Sequence, residues 1–205
     1  MTAFEITVSK DFYPPHDTTL GLLAGGAGSR LGGADKAWLQ RGGVPQVLRL
    51  ARRLSGETMS VLVSANRDPA RYAEVGLTAI PDRRADIGPI AGLDALANAC
   101  PTPWLLTVPV DLVDVNDCLL RSLAAAGGEG AFAIDDDGAQ PLVALWRVEA
   151  LRAALSQALE ANEIAVHALQ ARMGMAGVRF TGFRFGNLNT PADLAAAGID
   201  ALGAR

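Results

Sequence analysis

Residues 20–36 read LGLLAGGAGSRLGGADK, and this stretch decides the fold. Its first five residues, 20–24, have the apolar character and the length of a short buried strand. The loop that follows contains five glycines together with Arg30 and Lys36. Because glycine adds no side-chain bulk, the backbone N–H groups of such a loop can approach an anion closely. Two cations in one loop favour a ligand with several negative charges, and a nucleoside triphosphate is the simplest such ligand.

Two common phosphate-binding loops do not fit this stretch. A P-loop needs Gly-Lys followed by Ser or Thr, whereas Lys36 follows Asp35. A dinucleotide fingerprint that starts at Gly26 and Gly28 needs a third glycine where the chain has Leu31. The alternative to a nucleotide site is a glycine-rich surface loop whose two basic side chains are solvated.

The composition is that of one α/β domain with a large core. The chain has 205 residues, 50% of them hydrophobic, and a formal net charge of −4. This charge argues against a broad basic surface for nucleic acid, and no apolar run approaches the ~18 residues of a membrane helix. The N-terminus lacks the apolar segment of a signal peptide, and Cys100 and Cys118 lack metal-ligand spacing. We therefore expect a cytoplasmic protein with two buried, reduced thiols, and with neither nucleic acid nor a membrane as partner.

Apolar patterning beyond the loop predicts alternating strands and helices. Strands are expected at residues 59–65, 78–80, 104–108, 131–134 and 142–146, with short candidates at 178–180 and 183–185. Helices are expected around residues 44–54, 69–74, 90–97, 115–123, 151–159 and 164–173, and after a cap at Thr190. A loop over residues 83–92 is expected to lead into the helix around 90–97. This order predicts a three-layer α/β/α, Rossmann-like fold with a mostly parallel central sheet. Residues 20–205 would form this single domain, and residues 1–19 an N-terminal extension with an edge strand at 4–8.

Polar residues follow the ends of several predicted strands. They are found in the loop 25–36, at Asn66, at Asp82, at Asp111 and at 187–189. In open parallel sheets, ligands bind beyond the carboxyl ends of the strands. We therefore expect these polar groups to meet at one edge of the sheet.

The chemistry to which these residues are suited is nucleotidyl transfer. It needs in-line attack on the α-phosphorus while pyrophosphate leaves, and the growing charge is usually neutralised with Mg²⁺. Asp111 is the candidate Mg²⁺ ligand, because a carboxylate is a hard oxygen donor. Alternatively, Asp111 caps the next helix, a role that Asp114 could equally fill. Lys36 and Arg30 are the candidates to stabilise the triphosphate and the leaving pyrophosphate.

Six motifs stand in a fixed order along the chain. They are the loop that ends at Lys36, Ser64-Ala-Asn-Arg67, Asp82 with Gly88-Pro-Ile-Ala-Gly92, Val108-Pro-Val-Asp111, Gln140-Pro141, and Asn187-Leu-Asn-Thr-Pro191. The ordered set resembles that of the molybdenum cofactor guanylyltransferase family, also called molybdopterin-guanine dinucleotide biosynthesis protein A. The resemblance covers roughly residues 20–194, which is almost all of the chain.

This resemblance implies the transfer of GMP from Mg-GTP to molybdopterin cofactor, which gives the guanine dinucleotide form and pyrophosphate. By analogy, Asp111 would hold both GTP and Mg²⁺, and Lys36 would contact phosphate. The remaining nucleotide contacts would come from Leu23, Ala24, Gly25, Gly26, Ser64, Asn66 and Asp82. Asn187 and Asn189 would lie on the acceptor or metal side, or would be turn formers before the last helix. Molybdoenzyme-maturation proteins are further candidate partners.

Several positions depart from the family pattern and leave alternatives open. Ser64 stands where the family often has Asn, Val113 where it often has Pro, and the region of Glu163 lacks an arginine found in many relatives. Another nucleotide such as CTP, another acceptor such as a sugar phosphate, or a catalytically silent GTP-binding module would also fit. Gly25 favours GTP, because cytidylyl-transferring relatives tend to have Ala there, and its Cβ would narrow the space for a purine.

The other distinctive side chains are expected to be structural. Trp38, Trp104 and Trp146 are predicted core residues, and His167 a packed or surface residue. The acidic run 135–137 is predicted to be a solvated turn, at the mouth of the acceptor site.

Overall fold

A seven-stranded sheet forms the middle layer of the computed structural model, which describes residues 17–25, 35–84 and 87–200. The strands are β1 (Thr18–Leu23), β2 (Gln40–Arg41), β3 (Val44–Pro45), β4 (Ser60–Ser64), β5 (Thr78–Ile80), β6 (Trp104–Pro109), β7 (Gly130–Asp135), β8 (Gly138–Arg147), β9 (Ala176–Arg179) and β10 (Ile199–Asp200). The helices are α1 (Gln46–Leu54), α2 (Pro69–Glu74), α3 (Pro89–Ala99), α4 (Leu119–Ala124), α5 (Val148–Glu160), α6 (Val166–Arg172) and α7 (Pro191–Ala196), with 3₁₀ turns at Lys36–Trp38 and Ser55–Glu57. The predicted edge strand at 4–8 lies outside the described residues.

The strand order of the large sheet is β5-β4-β1-β6-β8-β7-β9. Strands β5, β4, β1 and β6 pair in parallel, and β9 pairs in parallel with β7. Among the described strands of this sheet, β8 alone is antiparallel to both of its neighbours, because a tight turn joins it to β7. The prediction of a mostly parallel sheet is therefore confirmed, and the chain leaves β5, β4, β1 and β6 at the same edge.

Helices cover both faces of the sheet, which confirms the three-layer arrangement. On one face, α1 and α4 pack against alternate strand residues such as Leu20 and Leu22. On the other face, α3, α5 and α6 pack against Leu105 and Trp146. Gly21 lets α3 approach β1 closely, since a Cβ there would stand 2.9 Å from Cδ1 of Leu96.

A second, three-stranded sheet joins β10 and β3 to β2. It is backed by a small apolar cluster that includes Leu39, Leu188 and Leu194. This cluster ties the C-terminal helix α7 to the segment that follows Lys36. The end of the described chain therefore packs beside Leu39 and pairs with strand β2.

Several element boundaries differ from the prediction. Val44 lies in a short strand rather than in α1, and α3 begins within the predicted loop, since Gly88 turns the chain at φ +63° and Pro89 suits a first helical position. Val115 precedes α4, because the Asn116 side chain accepts the Cys118 N–H and turns the chain there. The predicted strand at 183–185 is wrong, because this segment turns back on itself with an N–H of Phe183 donated to Phe180 O.

The prediction of two buried cysteines is half wrong. Cys100 is buried, but Cys118 is exposed at the start of α4, and both are free thiols. The three tryptophans lie in the core as predicted, and His167 is exposed on α6. Within the described ranges, every helix is too short or too polar to cross a bilayer.

Candidate active site

The ammonium group of Lys36 lies between the side chains of Asp111 and Asn189. Its Nζ donates to Asp111 Oδ2 at 3.1 Å and to Asn189 Oδ1 at 2.8 Å. Lys36 and Asp111 are 75 positions apart in the chain, and their side chains keep exposures of 23% and 27%. The structure thus brings together three of the predicted site residues in a place that solvent and a ligand can reach.

Local structure sets each of these three side chains. Lys36 opens a 3₁₀ turn whose cap is Asp35, which accepts the N–H of Ala37 at 3.0 Å. Asp111 follows β6 in a loop that is held to β1 through a bond from Val110 N to Leu23 O. Asn189 immediately precedes the capped start of α7.

The loops that carry Asp111 and Asn189 lie side by side. Leu188 N donates to Asp111 O at 2.7 Å, and Leu112 and Asn187 form an isolated antiparallel bridge. Asn189 N donates to the Asp193 carboxylate, and this bond, followed by those from Thr190, lowers the pKa of Asp193. Asn189 is therefore both a residue of the turn before α7 and a side chain of the Lys36 cluster.

The alternative that Asp111 or Asp114 caps the next helix is not found. The N-cap of α4 is Cys118, with no side-chain cap bond. Asp114 instead accepts the N–H of its neighbour Val115 at 2.8 Å. The Asp111 carboxylate instead lies in the cluster with Lys36.

A second polar cluster stands beyond the ends of β4 and β5. Ser64 Oγ donates to Asp82 Oδ1 at 3.1 Å, and Asn66 Nδ2 donates to Asp82 Oδ2 at 2.7 Å. The N–H of Asp82 in turn donates to Asn66 Oδ1 at 2.8 Å. Three predicted nucleotide-binding side chains thus form one network, which fixes the Asp82 carboxylate at the rim of the sheet.

The end of β1 runs between the two clusters. Ala24 N donates to Ser64 O at 3.0 Å, on the side of β4, while Leu23 O accepts from Val110 on the side of β6. A Cβ built on Gly25 would meet no atom of the described residues within 4 Å, and Gly25 itself is exposed. Gly26 and Arg30, which complete the predicted set, lie outside the described residues.

The acidic run 135–137 is not a simple solvated turn, which corrects the prediction. Asp135 is 1% exposed and accepts four hydrogen bonds, from the N–H groups of Asp137, Gly138 and Phe185 and from the Gln140 amide. Burial disfavours its charge, but these bonds outweigh that effect and lower the pKa of Asp135. The carboxylate therefore joins the β7–β8 turn to the 180–186 segment.

The supporting contacts of three residues were not predicted, although Gly92 belongs to the Gly88-Pro-Ile-Ala-Gly92 motif noted in the sequence. Gly92 on α3 lies against Ser64, and Gln46 and Arg49 on α1 bond to the backbone after Asp111. Their partners lie far away in the chain, so spacing gives no signal for them.

The cluster around Asp111 fits a divalent cation that retains water and substrate ligands. Among residues 17–25, 35–84 and 87–200, no three His, Cys, Asp or Glu side chains gather as a metal cage. Asp111 and Asn189 nevertheless offer a carboxylate and an amide oxygen, the hard donors that Mg²⁺ prefers. Mg²⁺ is commonly held by one or two carboxylates together with substrate phosphates, so this small donor set suits it.

Comparisons with known proteins identify the family to which the chain belongs. The MobA-like NTP transferase domain family matches residues 21–174. A molybdenum cofactor guanylyltransferase of Cereibacter sphaeroides is 41% identical over 182 residues, which cover 86% of this chain and 93% of that protein. A protein of the same name from Serratia proteamaculans is 34% identical over 184 residues, with coverages of 87% and 93%.

Solved structures share the fold at lower identity. Molybdopterin-guanine dinucleotide biosynthesis protein A from Archaeoglobus fulgidus superposes with a TM-score of 0.68 at 21% identity, covering 88% of this chain and 96% of that one. The 2-C-methyl-D-erythritol 4-phosphate cytidylyltransferase from Thermus thermophilus gives a TM-score of 0.63 at 17% identity, with coverages of 87% and 96%. These two likenesses show the fold alone. On the family match and the two sequence relatives, the chain belongs to the MobA-like NTP transferase family and is a nucleotidyltransferase.

Proposed function

We propose that this chain transfers GMP from Mg-GTP to the terminal phosphate of molybdopterin, giving molybdopterin guanine dinucleotide and pyrophosphate. The observation that carries the proposal is the 3.1 Å contact of Lys36 Nζ with Asp111 Oδ2 at the carboxyl edge of the sheet. The names of the sequence relatives support the choice of guanylyl group and acceptor.

Lys36 is suited to bind the triphosphate. An ammonium group has three N–H donors, and Asp111 and Asn189 engage two of them. The third N–H has no acceptor among the described residues and can bond to a phosphate oxygen. The positive charge then opposes the negative charge that accumulates on the leaving pyrophosphate. Arg30 is proposed to add a second cation from the same loop.

Asp111, with the amide oxygen of Asn189, is proposed to hold Mg²⁺. Bound Mg²⁺ would supply charge neutralisation on the triphosphate oxygens. The carboxylate position is set by β6 and by the bond from Leu188 to the Asp111 carbonyl. Asn187, whose backbone pairs with Leu112, would lie on the side of this site where the acceptor binds.

The transfer itself needs little acid–base chemistry from the protein. An ionised phosphate oxygen of the acceptor attacks the α-phosphorus of GTP, and a new P–O bond forms. The bond from the α-phosphorus to the oxygen that bridges to the β-phosphate breaks, and pyrophosphate departs with that electron pair. The residues therefore act by holding two anions in line, which is a matter of position and charge.

Base recognition is proposed for the end of β1 and the cluster of Ser64, Asn66 and Asp82. Within the part of the chain that the structure describes, no atom lies within 4 Å of a Cβ built on Gly25. The purine is proposed to bind there, and the backbone of residues 23–26 would line the nucleotide. The Asp82 carboxylate, fixed by Ser64 and Asn66, is the proposed acceptor for N–H or O–H donors of the nucleoside.

The proposal includes a cellular setting and a domain arrangement. Residues 20–205 act as a single domain with 1–19 as an extension, except that Thr18 and Thr19 already belong to β1. The two free thiols favour the cytoplasm, where thiols stay reduced. Molybdoenzyme-maturation proteins would receive the product.

The test is incubation of the protein with Mg²⁺ and molybdopterin in parallel with GTP, CTP, UTP and ATP. We expect release of pyrophosphate and formation of the dinucleotide with GTP. Selective turnover of CTP would assign a cytidylyl transfer instead. Binding of GTP with no pyrophosphate released, with the acceptor present, would make the chain a silent nucleotide-binding module.

A further inference from the structure

Helix α1 holds the two turns that carry Lys36 and Asp111. The backbone N–H of Gln46 donates to the carbonyl of Leu39, at the end of the Lys36 turn, at 2.8 Å. The side-chain Nε2 of the same residue donates to the carbonyl of Leu112, directly after Asp111. Gln46 is completely buried, so these bonds do not exchange readily with water. One residue therefore fixes both turns to the start of α1.

Arg49 fixes the orientation of the Gln46 amide. Its Nε donates to Gln46 Oε1 at 2.9 Å. Because a guanidinium only donates, this bond makes Oε1 the acceptor and leaves Nε2 to face Leu112. Arg49 also donates from its NH2 nitrogen to Val113 O at 2.6 Å and to Leu112 O at 3.2 Å. The two side chains together satisfy both carbonyls of the loop after Asp111.

The opposite side of this loop is bonded to the segment that leads to Asn189. Val113 N donates to Phe185 O at 3.1 Å, and Leu188 N donates to the carbonyl of Asp111 at 2.7 Å. The loop is therefore clamped between α1 and the 185–188 segment. A shift of Leu112 would move Asp111 and, through these bonds, Asn189, relative to Lys36.

We propose that Gln46 and Arg49 are positioning residues that set the separation of Asp111 and Asn189 from Lys36. The inference rests on the proposed role of Asp111 in binding a nucleoside triphosphate with its divalent cation. Partners that orient a metal-binding carboxylate typically change metal affinity or activity by about 10- to 100-fold when they are replaced. Neither residue needs to contact the substrate for this effect.

The variants follow from the bonding pattern. Arg49→Lys keeps the positive charge, but an ammonium group lacks the planar guanidinium geometry with which Arg49 bonds to three acceptors at once. Gln46→Glu keeps the size and the acceptor for Arg49 but loses the donor to Leu112. Arg52→Met is the matched control, since Arg52 lies on the same helix and is exposed.

We expect Arg49→Lys and Gln46→Glu to lower kcat by about 10- to 100-fold and to weaken Mg-nucleotide binding over a similar range. Arg52→Met should match the wild type in both. Thermal unfolding without ligand identifies a variant that has merely lost its fold, and Arg49→Lys, the milder change, then carries the test.

A double-mutant cycle separates positioning from general stability. Mg-nucleotide affinity is measured by calorimetry for the wild type, Arg49→Lys, Asp111→Asn and the double variant, with GTP and with CTP. If Arg49 acts through Asp111, the change at position 49 adds little once the carboxylate is gone. Equal losses in both backgrounds, or a wild-type affinity in Arg49→Lys, would overturn the inference. A wild type that binds Mg-GTP but transfers nothing to molybdopterin would overturn the proposed function instead, while the cycle would still decide this inference.

Discussion

Ser64 Oγ occupies the space that a side chain at position 92 would need: a Cβ built on Gly92 comes within 2.5 Å of it. Helix α3 can approach β4 only because residue 92 has no side chain. Ser64 in turn donates to Asp82, so this close packing supports the carboxylate that we assign to the nucleoside. The packing of α3 against β4 therefore affects the candidate binding site.

Gly92→Ala is therefore expected to displace Ser64 and to loosen Asp82. Overpacking of this kind costs about 1–3 kcal/mol of stability, and GTP affinity should fall with it. Urea denaturation and calorimetry measure the two effects. Adding Ser64→Ala removes the obstructing oxygen and should restore part of the stability but not the affinity. A Gly92→Ala protein with wild-type stability and affinity would contradict this account.

Gly25→Ala is expected to leave the fold intact and to change base preference. Its Cβ would contact none of the described residues, so the stability should stay within about 0.5 kcal/mol of the wild type. If a purine occupies that space, KM should rise for GTP more than for CTP. Gly21→Ala is the contrasting variant, because its Cβ would clash with Leu96 and Leu105 and should destabilise the protein without altering base preference. If the ratio of the KM values for GTP and CTP is unchanged in Gly25→Ala, the base does not bind beside position 25.

Asp135 is expected to make folding stability depend on pH in the acid range. Its pKa is lowered in the folded protein, so its contribution is complete above the unfolded pKa of about 3.9 and is lost as the pH falls through the folded value. Asp135→Ala leaves buried N–H donors without an acceptor and should cost about 3 kcal/mol at pH 7, and its stability should decline less steeply below pH 4. Urea denaturation between pH 3 and pH 7 tests this, with Asp137→Asn as the exposed neighbouring control. If the free energy of unfolding falls equally steeply with decreasing pH in Asp135→Ala and in the wild type, this role of Asp135 is refuted.

The sequence was sufficient for the parts of the site that lie at strand ends. Lys36 and Asp111 could be predicted to meet, because each follows a strand that is parallel to the other and adjacent in the sheet. Buried polar contacts between distant segments could not be predicted this way. The buried Asp135 accepts a bond from Phe185, 50 positions later, and Gln46 donates to a carbonyl 66 positions away. Such pairings depend on the packed structure, and neither periodicity nor charge pattern encodes them.

The roles assigned to Lys36 and Asp111 predict that each is needed for transfer but not for folding. Both side chains are partly exposed and their ion pair is of the kind that contributes about 0–1 kcal/mol, so its loss should hardly affect thermal unfolding. Lys36→Met and Asp111→Asn change the charge while keeping the approximate size.

The most direct test is the rate of pyrophosphate release from Mg-GTP in the presence of molybdopterin, measured for the wild type, Lys36→Met and Asp111→Asn. We predict that each substitution lowers kcat by about 100-fold or more while the melting temperature stays near that of the wild type. Wild-type turnover in either variant would contradict the claim that these two side chains act on the same triphosphate.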